Sequence, residues 1–221
     1  MPLLIDREPL ARDLVIGVFL LSFAAEIAAT YFGRLRDESP ARLRLLRGSL
    51  IEVATLGRRG DASGDRDRGT KRVVVVAVWS GLVLAFVLTK NLSGLRVGAD
   101  TWATLVLGVG IAAFGVGLRA WAILTLGTHF RREVTVEAGQ VVHRDGPYRW
   151  LRHPSYAGTL VTVFGLCLAL GSWFGALGAV TIALLGHLPR IRVEEAALRD
   201  GLGEAYAEYA NATARLAPGI W

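Results

Sequence analysis

One cysteine, Cys167, stands in 221 residues, and it lies inside an apolar run. That scarcity excludes a disulfide framework and a multi-cysteine metal cluster. Charge is scarce as well. Asp, Glu, Lys and Arg make 20% of the chain against 52% hydrophobic residues, and the mean hydropathy is +0.42, a balance foreign to a soluble globular domain. There are four histidines, but no short ligand spacing links His129, His143 and His153 into a zinc motif. No G-x-G-x-x-G, P-loop or G-x-S-x-G is present, so a soluble Rossmann-type cofactor domain and serine-nucleophile chemistry have no support. The glycines Gly108, Gly110, Gly115 and Gly117 fall in an apolar segment and read as sites of close helix packing. Acids are outnumbered, 19 to 25, for a net charge of +6. In a soluble protein this would raise nucleic acid as a partner; here the basic residues lie between apolar segments, which is the membrane pattern and calls for no nucleic acid.

The long apolar runs are the positive signal. Span one covers about Leu14 to Phe32, span two Val73 to Thr89, and span three Trp102 to Leu126, interrupted only by Arg119. Tyr156 to Leu188 is too long for one bilayer crossing at about 1.5 Å per residue. Gly171-Ser172 in its middle suits a tight turn and divides it into spans four and five. Met1 to Asp13 holds three acids against two arginines, with no small-residue cleavage site, so the first span reads as retained rather than as a signal peptide. With five spans, the alternate loops on one side collect 20 Lys and Arg and those on the other collect 4. Positive residues concentrate in the cytoplasm, which predicts an external N-terminus and a cytoplasmic C-terminus. The expected fold class is therefore an all-α integral membrane protein with five transmembrane helices, a cytoplasmic cofactor-binding loop and a C-terminal amphipathic helix. Four regions follow: 1–33 with the first span, a basic loop at 34–72, the second and third spans at 73–126, and a core at 127–221. Within the loop, Pro40 to Leu56 places Leu43, Leu46, Leu50 and Val53 on one helical face among arginines, as suits an anionic headgroup layer. Gly57 to Gly69 has no apolar periodicity and reads as a loop.

Two polar segments stand out on the predicted cytoplasmic side. Gly127 to Gly158 has an extended-looking run, Glu133 to Val142, a turn at Gly146-Pro147, then Tyr148-Arg149-Trp150 and Arg152, His153, Pro154 and Tyr156 at the mouth of span four. A proline opening a helix fits the first-turn preference, and amides there can hold a polar ligand group. The plain alternative makes Arg149 and Arg152 positive-inside residues and Trp150 and Tyr156 interface anchors. The second segment, Pro189 to Glu195, follows span five and continues with Leu198, Leu202, Ala205, Tyr206 and Tyr209 at helical spacing, an amphipathic helix that should pack back on the core or the membrane. Arg190 and Glu194 share one face, either as a helix-end salt bridge or as a charge pair holding a reacting group. Glu26 and Arg119 lie within spans, where ionisable side chains face protein or water and could pair with each other.

The stretch GPYRWLRHPSYAG (Gly146 to Gly158), an apolar hairpin, and RIRVEEAALRDGLGEAYAEY (Arg190 to Tyr209) together resemble the isoprenylcysteine carboxyl methyltransferase family and its bacterial relatives, over about the last 95 residues. The resemblance implies an integral membrane enzyme, in a bacterial inner membrane with its site facing the cytoplasm. It would bind S-adenosylmethionine at the cytoplasmic ends of its last spans and methylate a lipophilic or lipidated acceptor arriving from membrane lipid. It assigns cofactor binding to Gln140, Val142, His143, Gly146, Tyr148, His153, Pro154, Tyr156 and Glu194, and catalysis to Arg190 and Glu195, with no metal. Gln140 stands where eukaryotic members commonly carry a histidine. Transfer from a sulfonium to a carboxylate needs alignment and a desolvated site rather than a strong base, and an arginine can hold a carboxylate bidentately. Methylation of a phospholipid amine or a thiol is an alternative that would want a base. A sterol-type NADPH reductase is another, with more spans than five.

Overall fold

The computed structural model describes residues 8–35, 69–91, 102–126 and 142–219. Those residues are helical, in five segments: α1 Pro9–Leu35, α2 Thr70–Asn91, α3 Trp102–Leu126, α4 Pro154–Ala169 and α5 Trp173–Ala212, with a short 3-10 turn at Gly146–Arg149. The amphipathic stretch Pro40 to Leu56, most of the Gly57 to Gly69 loop, the run Glu133 to Gly139, and the candidates His129 and Gln140 lie outside the described residues.

The first four helices begin and end within about five residues of the expected apolar runs, and the fifth begins where expected but runs on to Ala212. α2, α3 and α5 are long and apolar enough to cross a membrane, while α4 is a shorter apolar helix of 16 residues. Large apolar side chains point outward, with Leu124 70% and Phe114 67% exposed. This inversion of a soluble protein's surface is what a hydrocarbon surround requires.

Small residues set the packing. α3 and α4 run antiparallel with their backbones touching: a Cβ built at Gly108 would sit 2.4 Å from the Ala169 amide nitrogen, and at Gly115 it would sit 2.5 Å from that of Thr162. From the other side, a Cβ at Gly165 would meet the Ala112 nitrogen at 2.3 Å. Lipid tails are as apolar as leucine, so helices in a bilayer gain by close backbone approach, which glycine allows. The glycines at 108 and 115 are therefore packing residues, as their setting in an apolar span suggested; among the described residues no atom of another element lies within 4 Å of a Cβ built at Gly110 or Gly117. α2 and α5 pair in the same manner, Gly81 against Ala179 and Gly186 against Ala77. α2, α4 and α5 meet around Ala85, Val163, Cys167, Leu168, Ala176 and Ala179. α1 lies along α3, burying Ala11 against Leu105 and Ala169.

The turn between α4 and α5 falls where Gly171-Ser172 predicted. Gly171 adopts φ +88°, a conformation that glycine enters without steric cost. Ser172, fully buried, accepts a hydrogen bond from the Gly175 amide at 3.0 Å and so caps α5. The end of α5 differs from expectation. The helix does not stop at the end of the fifth apolar run but continues through Pro189, and a kink at Gly203, φ +56°, separates it from a last helical stretch that ends at Ala212. Proline removes one amide within a helix, and dense packing on α2 and α4 supports the helix on either side of it. The segment beyond Gly203 does pack back: the buried Tyr209 hydroxyl donates to the carbonyls of Tyr148 and Leu151 at 2.8 and 3.2 Å.

Candidate active site

Pro154 occupies the first turn of α4, and His153 is its N-cap. That start places His153 and Tyr156 beside the stretch of α5 that follows its apolar run. The Tyr156 hydroxyl donates to Glu194 Oε2 at 2.7 Å and accepts from Arg190 Nε at 3.2 Å. Arg190 and Glu194, one helical turn apart, thus meet through a single phenol oxygen. Hydrogen bonds to charged groups are the stronger kind, so this bridge fixes the guanidinium plane and one carboxylate oxygen together. The Tyr156 ring is held on both sides: the His153 imidazole stacks on it with centroids 5.4 Å apart and planes 6° from parallel, and His187 meets it edge-on at 5.1 Å.

A second cluster adjoins the first. Glu195, 3% exposed, accepts from His153 Nε2 at 3.3 Å and from Arg215 Nε at 3.1 and 3.2 Å. Arg152 Nε and an Arg199 terminal nitrogen lie 3.5 and 3.8 Å from its oxygens. Glu195 stands beyond the apolar part of α5. Burial acts to raise its carboxyl, but the hydrogen bonds from His153 and Arg215 and the charge of Arg152 outweigh it and hold the group at about 2. It is a carboxylate at any physiological pH. His153 joins the clusters, with its other ring nitrogen, Nδ1, 3.9 Å from Glu194.

The remaining predicted residues divide. Val142 and His143 are half-buried on the stretch leading into the 3-10 turn. Gly146 has φ +54°, and a Cβ there would meet the Thr125 side chain at 2.6 Å, so this glycine seats the turn against the end of α3. Tyr148 is buried, and burial followed by the nearby Glu194 charge keeps its hydroxyl well above the ordinary range. The amides of Tyr156 and Ala157 donate to the His153 carbonyl at 3.1 and 3.0 Å, so these two are not offered to an outside group. Trp150 is 47% exposed, with the Arg149 guanidinium 3.7 Å over its ring. Tyr156 is not an interface anchor. Arg119 donates to the Ser155 hydroxyl and carbonyl and the Thr159 hydroxyl at 2.7, 3.2 and 3.0 Å, tying α3 to the first turn of α4; the Glu26 side chain lies outside the described ones. Among the described residues no group of three or more His, Cys, Asp or Glu could hold a metal ion.

The family description "Isoprenylcysteine carboxyl methyltransferase (ICMT) family" matches residues 107–200, a range that contains most of α3, all of α4, and Arg190, Glu194 and Glu195. Over residues 107–200 the chain is thus similar to the ICMT family. A protein-S-isoprenylcysteine O-methyltransferase of Schizosaccharomyces pombe is 30% identical over 98 residues, covering 38% of this chain and 42% of the relative. The solved structure of the eukaryotic intramembrane Ras methyltransferase ICMT is similar at a TM-score of 0.55 and 26% identity, over 66% of this chain and 52% of that one. The chain thus spans about half the length of these ICMT relatives or less. With its apolar helices, it is an integral membrane protein.

Two residues of this candidate site were not singled out in the sequence. His187 is 1% exposed; a histidine inside an apolar run three residues before Arg190 was a usable signal, since intramembrane ionisable groups tend to be functional. Arg215 carried none, being 20 residues beyond the carboxylate it holds.

Proposed function

We propose that this protein is an S-adenosylmethionine-dependent membrane methyltransferase that esterifies the carboxylate of an isoprenylcysteine or another lipophilic acceptor. The observation that carries the reading is the Tyr156 hydroxyl joining Arg190 to Glu194, at the point where α5 leaves its apolar stretch. The groups present suit such a cofactor: a partly exposed carboxylate, Glu194, beside the Tyr156 hydroxyl and the His153 ring matches a sulfonium cation in charge. S-Adenosylmethionine, when bound, supplies a methyl group already activated on a positively charged sulfur. The protein's task is alignment and exclusion of water. Arg190, oriented through Nε by Tyr156, offers a planar guanidinium for two-point contact with the acceptor carboxylate. Glu194 fixes Tyr156 and contributes negative charge. Glu195, taken up by His153 and Arg215, acts as a positioning residue for His153. Gln140, Val142, His143, Gly146, Tyr148 and Pro154 complete the cofactor-binding segment in this reading. The 20-to-4 division of basic residues supports five spans and a cytoplasmic site in a bacterial inner membrane. A site at that interface lets a lipid-tailed acceptor enter sideways while a water-soluble donor arrives from the cytoplasm.

The test pairs calorimetry with transfer from methyl-labelled S-adenosylmethionine to a prenylated cysteine. The wild type binds S-adenosylmethionine and S-adenosylhomocysteine. Arg190→Lys keeps that affinity but loses about 100- to 1,000-fold in turnover, on the order of 2.7 to 4 kcal/mol for a lost positioned contact. Near-normal transfer would return Arg190 to an interface salt bridge worth at most about 1 kcal/mol, and binding of NADPH instead would favour the reductase reading.

A further inference from the structure

After α5 ends at Ala212 the backbone becomes extended, with Thr213 at φ −130°, ψ 147°, and runs beneath the segment that opens α4. Leu151 and Ala214 form a parallel bridge. Three backbone hydrogen bonds hold it: Ala214 N to Trp150 O at 3.0 Å, Arg152 N to Ala214 O at 2.8 Å, and His153 N to Arg215 O at 3.0 Å. The Thr213 hydroxyl donates to Tyr209 O at 2.6 Å and anchors the start of this strap. Arg215 then reaches Glu195 with Nε nearly equidistant from both carboxylate oxygens, 3.1 and 3.2 Å.

The two groups gripped by the strap lie on different helices, and each is next to a residue of the site. The His153 amide belongs to the N-cap of α4, three residues before Tyr156; Glu195 is on α5, adjacent to Glu194. A segment bonded to both fixes how far along α5 the start of α4 sits. The Tyr156–Glu194 and Tyr156–Arg190 bonds require that register: a shift of one ångström would stretch a 2.7 Å hydrogen bond beyond the usual range. Other groups facing Glu195 share the load, namely Arg152 and His153 before α4 and Arg199 on α5. Of the arginine–glutamate contacts here, that of Arg215 is the shortest.

We infer that residues 213–215 form a register clamp for the site, with Arg215 a positioning residue that acts through Glu195 on His153, Tyr156 and Glu194. The ligand-binding part of this inference rests on the methyltransferase reading; the structural part does not.

The experiment therefore has two arms on the full chain. In the ligand-free protein, hydrogen exchange at the Arg152 and His153 amides is compared between wild type and Arg215→Gln, with Arg215→Lys as the variant that keeps the charge should the first not fold. Exchange in the Gln variant should be faster by on the order of tenfold, the response of a loosened local structure. Unchanged exchange would overturn the clamp whatever the protein binds. In the second arm S-adenosylhomocysteine affinity is measured for Arg215→Gln, Glu195→Gln and the double variant. Each single change should weaken binding on the order of tenfold, and the double should be little worse than Glu195→Gln, as expected of residues in one network. Unaltered affinity in Arg215→Gln, or losses that multiply, would overturn the positioning role. Faster exchange in a protein whose wild type binds no S-adenosylhomocysteine would uphold the clamp and reject the methyltransferase reading.

Discussion

Replacing Tyr156 by phenylalanine removes one oxygen atom and leaves the ring's surroundings intact. The phenyl ring would remain stacked on His153 and edge-on to His187, so α4 and α5 keep their contact there. What disappears is the 2.7 Å donation to Glu194 and the 3.2 Å acceptance from Arg190. Hydrogen bonds to charged groups contribute about 1.5 to 3 kcal/mol each. The Glu194 side chain is 32% exposed, so water can replace its lost donor. Arg190 is 6% exposed, and its orientation is what the substitution releases. Counting chiefly the arginine's bond gives about 2 kcal/mol, or roughly a 30-fold fall in turnover if the guanidinium must lie in a fixed plane to hold the acceptor. The assay is methyl transfer to a prenylated cysteine at saturating donor and acceptor, with S-adenosylhomocysteine affinity and thermal stability followed on the same preparation. The expected pattern is a large loss in turnover with a melting temperature within a few degrees of wild type. Turnover within threefold of wild type would refute the bridge as a functional element, and a loss matched by unfolding would reduce it to a structural one.

The glycine contacts between α3 and α4 yield a paired test. Gly165→Ala drives a methyl group into the α3 backbone and should destabilise the protein by about 1 to 3 kcal/mol, whereas Gly110→Ala, where nothing lies within 4 Å, should be neutral or mildly stabilising in a thermal melt in detergent. Topology is testable at the two ends of α2: cysteines placed at Gly69 and at Asn91 should be labelled from opposite sides of the membrane, against a background in which Cys167 is buried. Labelling of both from one side would reject α2 as a crossing.

The spans were legible because hydropathy is summed over some twenty residues and survives local irregularity. The α4–α5 turn was legible for a different reason, since Gly171 and Ser172 each meet a specific local need, positive φ and a helix cap. The course of α5 was not. Pro189 is a local signal for a break, but packing along α2 and α4 is a tertiary effect with no trace in the sequence around the proline. Within the site, Arg190, Glu194 and Tyr156 were picked out by motif. Their physical relation, one hydroxyl between two charges, depends on how two helices face each other. Glu195 was expected to share in catalysis, and its oxygens accept from His153 and Arg215. That could not be foreseen while Arg215 was one arginine among many beyond the last apolar run.

The run of α5 from Ser172 through Pro189 has a consequence for the membrane itself. From the capped turn at Ser172 to Arg190 the helix measures about 26 Å at 1.5 Å per residue, close to the thickness of a bilayer's hydrocarbon layer. In the proposed topology Arg190 is therefore carried at the tip of a ruler whose zero mark is the partly exposed Trp173 at the opposite interface. Lipid of another thickness would shift the arginine relative to the headgroups or tilt the ruler. Under the proposed methyltransferase function, acyl-chain length thus becomes a control on how deeply a lipid-anchored acceptor must sink to meet the guanidinium, independent of any change in the protein's own bonds.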